Sequence, residues 1–166
     1  MMLKNGKVNS AQEKQRFLAL LKKLPRNRLW GPSSSEVGFT FEVGKRHGSE
    51  NVRGKRIWRG RWSLAAWCDW DIQEGNSTLI SSRERRRYKF HVEFENKINA
   101  FLKNQIIWSV DFDDANGNIS VLTSGGFKLR FLPKRADDWT LFVNGNSKMR
   151  ARTWFSIGRR SIVEKD

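Results

Sequence analysis

Apolar residues recur along this chain with two different periods, and the changes between them mark out its elements. Near the start, Ser10 and Glu13 stand in the S-x-x-E spacing of a capping box, and Phe17, Leu20, Leu21 and Leu24 follow at helical period. This predicts a helix ended by Pro25. The run LPRNRLWGPSSS (24–35) carries proline, glycine and three serines and reads as a loop. In VGFTFEV, Val37, Phe39, Phe41 and Val43 alternate with small or polar residues, which is the period of a half-buried strand. RWSLAAWCDWDI repeats the alternation as a second strand. Trp62, Leu64, Ala66, Cys68, Trp70 and Ile72 fall on one face, and Ser63, Trp67, Asp69 and Asp71 on the other.

Residues 85–104 fit both periods. Tyr88, Phe90, Val92 and Phe94 suit a strand, whereas Phe90, Phe94, Ile98, Phe101 and Leu102 suit a helix. We read a strand up to about Phe94 or sooner, passing into a short helix that ends near Lys103. Beyond it, IIWSVDF and NISVLTS flank Asn116 and Gly117, a pair that favours a hairpin turn because both residues tolerate positive φ. Gly125 and Gly126 turn the chain into FKLRFL, Pro133 breaks it, DWTLFV follows, and NGN leads to ARTWFSI. The expected fold is α+β and mostly antiparallel β, with one N-terminal helix and a short second helix packed on a β-sheet or partial barrel. A length of 166 residues fits one domain over 1–166, with 1–9 and 159–166 flexible. Eight Trp and eleven Phe supply its core, since each such side chain buries about 150–250 Å².

Charge adds a second theme. Thirty-two Lys and Arg against 17 Asp and Glu leave a formal charge of +15, a field that favours anionic partners: nucleic acid, an acidic protein or an anionic membrane surface. The cations are clustered. The stretch GKRHGSENVRGKRIWRGRW (44–62) holds seven Lys or Arg and one Glu, and RERRRYK (83–89) is a second run. Lys134 and Arg135 form a pair, and more arginines follow Lys148. We read 44–62 as a long basic connection between the two aromatic strands. Arg53, Lys55, Arg56, Arg59 and Arg61 are its candidate phosphate contacts, with Trp58 as a base-stacking residue. Arg83, Arg85, Arg86 and Arg87 are candidates of the same kind.

Other chemistries find little support. Cys68 is the only cysteine, so no disulfide framework or thiolate metal cluster is expected, in keeping with a cytoplasmic location. No signal peptide or membrane span is apparent. With only His47 and His91 as imidazoles, and Cys68 expected on a buried strand face, no catalytic residues are assigned. The acidic run 111–118 lacks the ligand register of a calcium loop and reads as a hairpin turn. Neither G-x-G-x-x-G nor G-x-x-x-x-G-K-[ST] occurs, so no nucleotide cofactor is expected. Glu95 and Lys97 form an E-x-K with Asp69 or Asp71 upstream, a pattern used by metal-dependent nucleases when it sits on a core strand. Here it falls where the period turns helical, and no metal ligands are assigned.

Phe41 and Gly44, then Trp62 and Leu64, then Cys68, Trp70 and Ile72, and finally Asp137, Trp139, Leu141 and Phe142 follow a spacing over residues 37–143. It resembles a group of small bacterial domains that are immunity-like. The resemblance implies a compact β-rich fold with no established enzyme activity, and some such domains accompany contact-delivered toxins. The chain differs from the group in its basicity and in its extended segment after Gly44. The leading expectation is a non-enzymatic protein whose Arg-rich, Trp-containing surface contacts nucleic acid or another polyanion. The alternatives are an immunity or antitoxin-like protein that blocks a cognate toxin, and a metal-dependent nuclease.

Overall fold

The computed structural model describes residues 10–35, 38–52, 54–135, 138–144, 153–158 and 161–165. The fold is α+β and mostly antiparallel, with two helices and two sheets, neither of which closes into a barrel. One sheet of six strands has the order β1 (Leu29–Ser34), β2 (Phe39–Val52), β3 (Lys55–Ala66), β9 (Trp139–Val143), β10 (Thr153–Gly158), β11 (Ser161–Lys165). The other, of five, has the order β5 (Ser77–Ser81), β4 (Asp69–Glu74), β8 (Phe127–Leu132), β7 (Asn118–Thr123), β6 (Ile107–Asp113). Helix α1 spans Ser10–Leu21, α2 spans His91–Leu102, and a 3₁₀ helix covers Ser82–Arg87.

Alternation along the strands turns one face of each sheet inward. Phe39, Phe41, Leu64, Trp139, Leu141 and Phe155 come from the first sheet, and Trp70, Ile72, Val121, Leu129 and Phe131 from the second. Aromatic rings join the layers: Phe39 meets Trp70 at 4.6 Å between centroids, and Phe131 meets Trp139 at 5.9 Å. The helices pack at the edges of the six-stranded sheet, α2 against β1 and α1 against β11. Phe17 of α1 touches Phe112 of one sheet and Trp139 and Phe155 of the other, while Phe94 of α2 touches Phe39 and Trp70. No described helix is long and apolar enough to cross a membrane.

Three sequence expectations are corrected. The segment read as a loop before Ser35 contains β1, an edge strand that accommodates Pro32 where its register shifts between Trp30 and Ser33. RWSLAAWCDWDI is two strands in different sheets, because the chain bends at Trp67 and Cys68. No strand forms at 82–90, immediately before α2, which begins at His91. Phe94, Ile98 and Leu102 share its buried face at helical spacing, so burial of those three settled the ambiguous period in favour of helix. At the C-terminal side, β11 pairs with β10 from Ser161 to Lys165. The hairpin around Asn116 and Gly117 forms as read, with Asp113 opposite Asn118. Residues 1–9, 159–160 and 166 lie outside the described part of the chain, as does Arg53.

Candidate nucleic-acid interface

The basic stretch after Gly44 is a two-stranded ribbon, not a loop. Strands β2 and β3 stay paired out to Val52 and Lys55, and Gly54 between them adopts φ +78°. Flanking strands stop much earlier. β1 pairs with β2 no further than Val43, and β9 with β3 no further than Trp62. Among the described residues, the ribbon beyond those positions has no sheet neighbour. It extends roughly 20 Å as an arm at about 3.3 Å per residue.

Side chains alternate along this arm. Arg56 and Trp58 lie on one face of β3 and Lys55 and Arg61 on the other. All four are exposed, as are Lys45 and Arg46 on β2. Trp58 is 39% exposed, with the guanidinium of Arg56 at 4.6 Å and that of Arg46 at 5.4 Å from its ring centroid. Trp58 therefore gathers two cations on one face of the ribbon, where cation–π attraction restrains them.

A buried polar cluster anchors the arm. Glu42 is 2% exposed, and its Oε2 accepts hydrogen bonds from Gly60 N–H (2.8 Å) and the Ser63 hydroxyl (2.7 Å). Its Oε1 accepts from Arg59 at 2.8 Å. Asn144 closes the cluster by donating to Gly60 O and Ser63 Oγ. Only glycine fits at position 60, since a Cβ there would stand 2.4 Å from Val43 O. The register shifts of β2 between Val43 and Gly48 bring the two backbones this close. Arg59, expected to contact phosphate, has a side chain 16% exposed and ion-paired to Glu42. Its place is the base of the arm.

The second basic run lies elsewhere. Arg83, Arg85 and Arg86 project from the 3₁₀ helix into a cleft of about 700 Å³ at the bend between β3 and β4, where Lys134 and Arg135 join them. Arg87 is exposed but does not line the cleft. Arg85 is held by Tyr88 O at 3.0 Å and by the His91 ring, while Asp69 draws in Lys134 at 3.1 Å and Arg83 at 3.9 Å. The cleft is at the Ala66 end of β3 and the arm's tip at the Lys55 end, roughly 35 Å away at about 3.3 Å per residue. The structure thus divides the sequence-predicted residues into two groups, neither contiguous with the other.

Trp67, Lys134 and Arg135 also line the cleft and were not among the sequence candidates. Trp67 sat on the polar side of an alternation, and a large aromatic in that position was the available signal. Lys134 and Arg135 were visible only as an isolated pair. Cys68 also borders the cleft, and burial pushes its thiol up to about 12, with Leu132 backbone hydrogen bonding acting in the opposite sense. We expect the native thiol to react with a disulfide reagent at pH 8 more than a hundredfold slower than in the unfolded chain, because the thiolate is the nucleophile. Fast native labelling would contradict that placement.

The acids of the E-x-K pattern are engaged structurally. Glu95 lies on α2 and accepts from Ser34 N–H at 2.5 Å and the Ser34 hydroxyl at 3.0 Å. Lys97 bonds Glu84 at 3.1 Å, which raises its pKa. Asp71 forms a two-point pair with Arg130, and this raises the arginine's pKa as well. In the acidic hairpin, Asp113 and Asn116 accept from backbone N–H groups two residues on, and Asp114 pairs with Lys14. Among the described residues, no group of three or more His, Cys, Asp and Glu is placed to hold a metal ion. No family model, curated protein or solved structure matches this chain.

Proposed function

We propose that the protein binds nucleic acid by its β2–β3 arm, contacting the phosphate backbone and not the bases. The observation that carries this reading is a narrow two-stranded ribbon with exposed cations on both faces: Arg46 and Arg56 beside Trp58, and Lys55 and Arg61 opposite. A duplex major groove admits a two-stranded ribbon, and its phosphates run along both walls. Charge on both faces of the arm suits such a site. In this role Trp58 orients two guanidiniums rather than stacking on a base, and Arg59 holds the arm to the body.

The test is fluorescence anisotropy with a labelled duplex over a range of salt. With four phosphate contacts the plot of log K against log salt should have a slope of roughly −3 to −4, about 0.9 per contact. At about 0.1 M salt each contact then contributes roughly tenfold. Lys55→Glu combined with Arg56→Glu should lower affinity by at least about 100-fold, with the circular dichroism spectrum unchanged. Undetectable binding at low salt, or affinity unmoved by the double reversal, would sink the idea.

A further inference from the structure

We infer that the cleft at the bend between β3 and β4 is a second, separate site that takes a nucleoside 5′-phosphate, with the base against Trp67 and the phosphate among Arg83, Arg86 and Arg135. It does not depend on the reading of the arm.

The platform comes first. Trp67 is 49% exposed, although its surroundings hold it in place. Its backbone N–H donates to Asp138 O at 2.8 Å, and a Cβ on Gly38 would lie 3.0 Å from its Cδ1 and Nε1, so the indole rests against that glycine. One part of the ring is thus supported and the rest is open to a ligand. A base stacked on a restrained indole gains affinity without first ordering the side chain.

The charge is arranged around the platform. Five cations and the carboxylates of Asp69 and Asp138 line the cleft. Both carboxylates serve to position the cations. Asp69 bonds Lys134 and draws Arg83 toward it, and Asp138 Oδ2 accepts the backbone N–H groups of Lys134 and Arg135 at 2.7 and 2.8 Å. Arg86 and Arg135, both exposed, have no carboxylate partner among the described residues. Their planar forks suit a terminal phosphate, which offers several oxygens to two guanidiniums at once. Inorganic phosphate alone would leave Trp67 unused, and a neutral aromatic would leave the arginines unmatched. A volume of about 700 Å³ lies within the range for small-ligand sites.

The same chemistry is offered by a free mononucleotide and by the 5′-phosphorylated end of a strand. Isothermal titration calorimetry of the full chain would use adenosine 5′-monophosphate, adenosine, inorganic phosphate and a 5′-phosphorylated dinucleotide. The monophosphate should bind roughly tenfold or more tighter than either adenosine or phosphate. Trp67→Ala should reduce its affinity to that of phosphate and leave phosphate binding unchanged, and Trp67→Phe should retain most of it. Arg86→Ala with Arg135→Ala should weaken both the monophosphate and phosphate. The arm reversal Lys55→Glu/Arg56→Glu should change neither, which separates failure of this site from failure of the arm. A dinucleotide that binds tighter than the monophosphate identifies a strand end as the ligand, and the reverse order identifies a free nucleotide. If the monophosphate binds no tighter than phosphate, or Trp67→Ala leaves its affinity intact, the inference is overturned.

Discussion

Glu42→Ala should destabilise the protein by about 3–5 kcal/mol, the range for removing one partner of a buried ion pair. The carboxylate is buried at the base of the arm and accepts from Arg59, Gly60 N–H and Ser63. Alanine takes the counter-charge from Arg59 and strips an acceptor from two buried donors, each costing about 1–3 kcal/mol when left unmade. Glu42→Gln keeps the shape and an acceptor oxygen but not the charge, so it should lie between wild type and alanine. Urea denaturation would measure both. The arm should respond before the sandwich does. It has no flanking strands among the described residues, so hydrogen exchange at the Gly60 amide should accelerate in Glu42→Ala under conditions where the sheet cores stay protected. Equal stability of the three proteins would show that the cluster does not hold the arm.

Trp139→Ala is expected to cost about 3–5 kcal/mol through lost burial and the cavity left behind. Its indole N–H also donates to Gly117 O at 2.9 Å, and losing that bond leaves a buried carbonyl unpaired, for about 1 kcal/mol more. The ring is fully buried and touches Phe17 of α1 and Phe112 and Phe131 of the five-stranded sheet, while its own strand belongs to the six-stranded one. It therefore ties three layers together. Since whole domains are stable by about 5–15 kcal/mol, the variant should unfold at a markedly lower temperature and lose near-ultraviolet circular dichroism. Trp139→Phe retains a ring in the same place and forfeits the hydrogen bond, so its loss should be near 1–2 kcal/mol. A Trp139→Ala variant that melts like the wild type would refute this account of the core.

These two positions lie on one polypeptide path. β9, which begins with Trp139, pairs with β3 up to Trp62, and the next residue after Val143, Asn144, reaches back to Gly60 and Ser63. The sandwich thus provides a firm footing for the arm at the place where sheet pairing ends.

Period alone determined the existence of the first helix, which stops at Leu21 short of the expected Pro25, the inward faces of β2, β3 and β4, and the hairpin at Asn116 and Gly117, because these depend on residues close in sequence. Composition determined that the protein carries a strong positive field and an aromatic core. Three matters required the tertiary structure. Charged residues obscure a strand pattern that has no buried face, so the arm's pairing was invisible: two strands lying beyond the sheet stack need no apolar alternation. The bend at Trp67 and Cys68 separates an unbroken alternation into two sheets, since period 2 is the same on either side of a corner. The roles of the arginines also depended on partners distant along the chain. Arg59 meets Glu42 across the hairpin and is withdrawn into the base, whereas Arg83 and Arg86 meet Arg135 only because β8 lies beside β4. Sequence supplied the charge; the folded backbone divided it between an arm and a cleft at opposite ends of one strand.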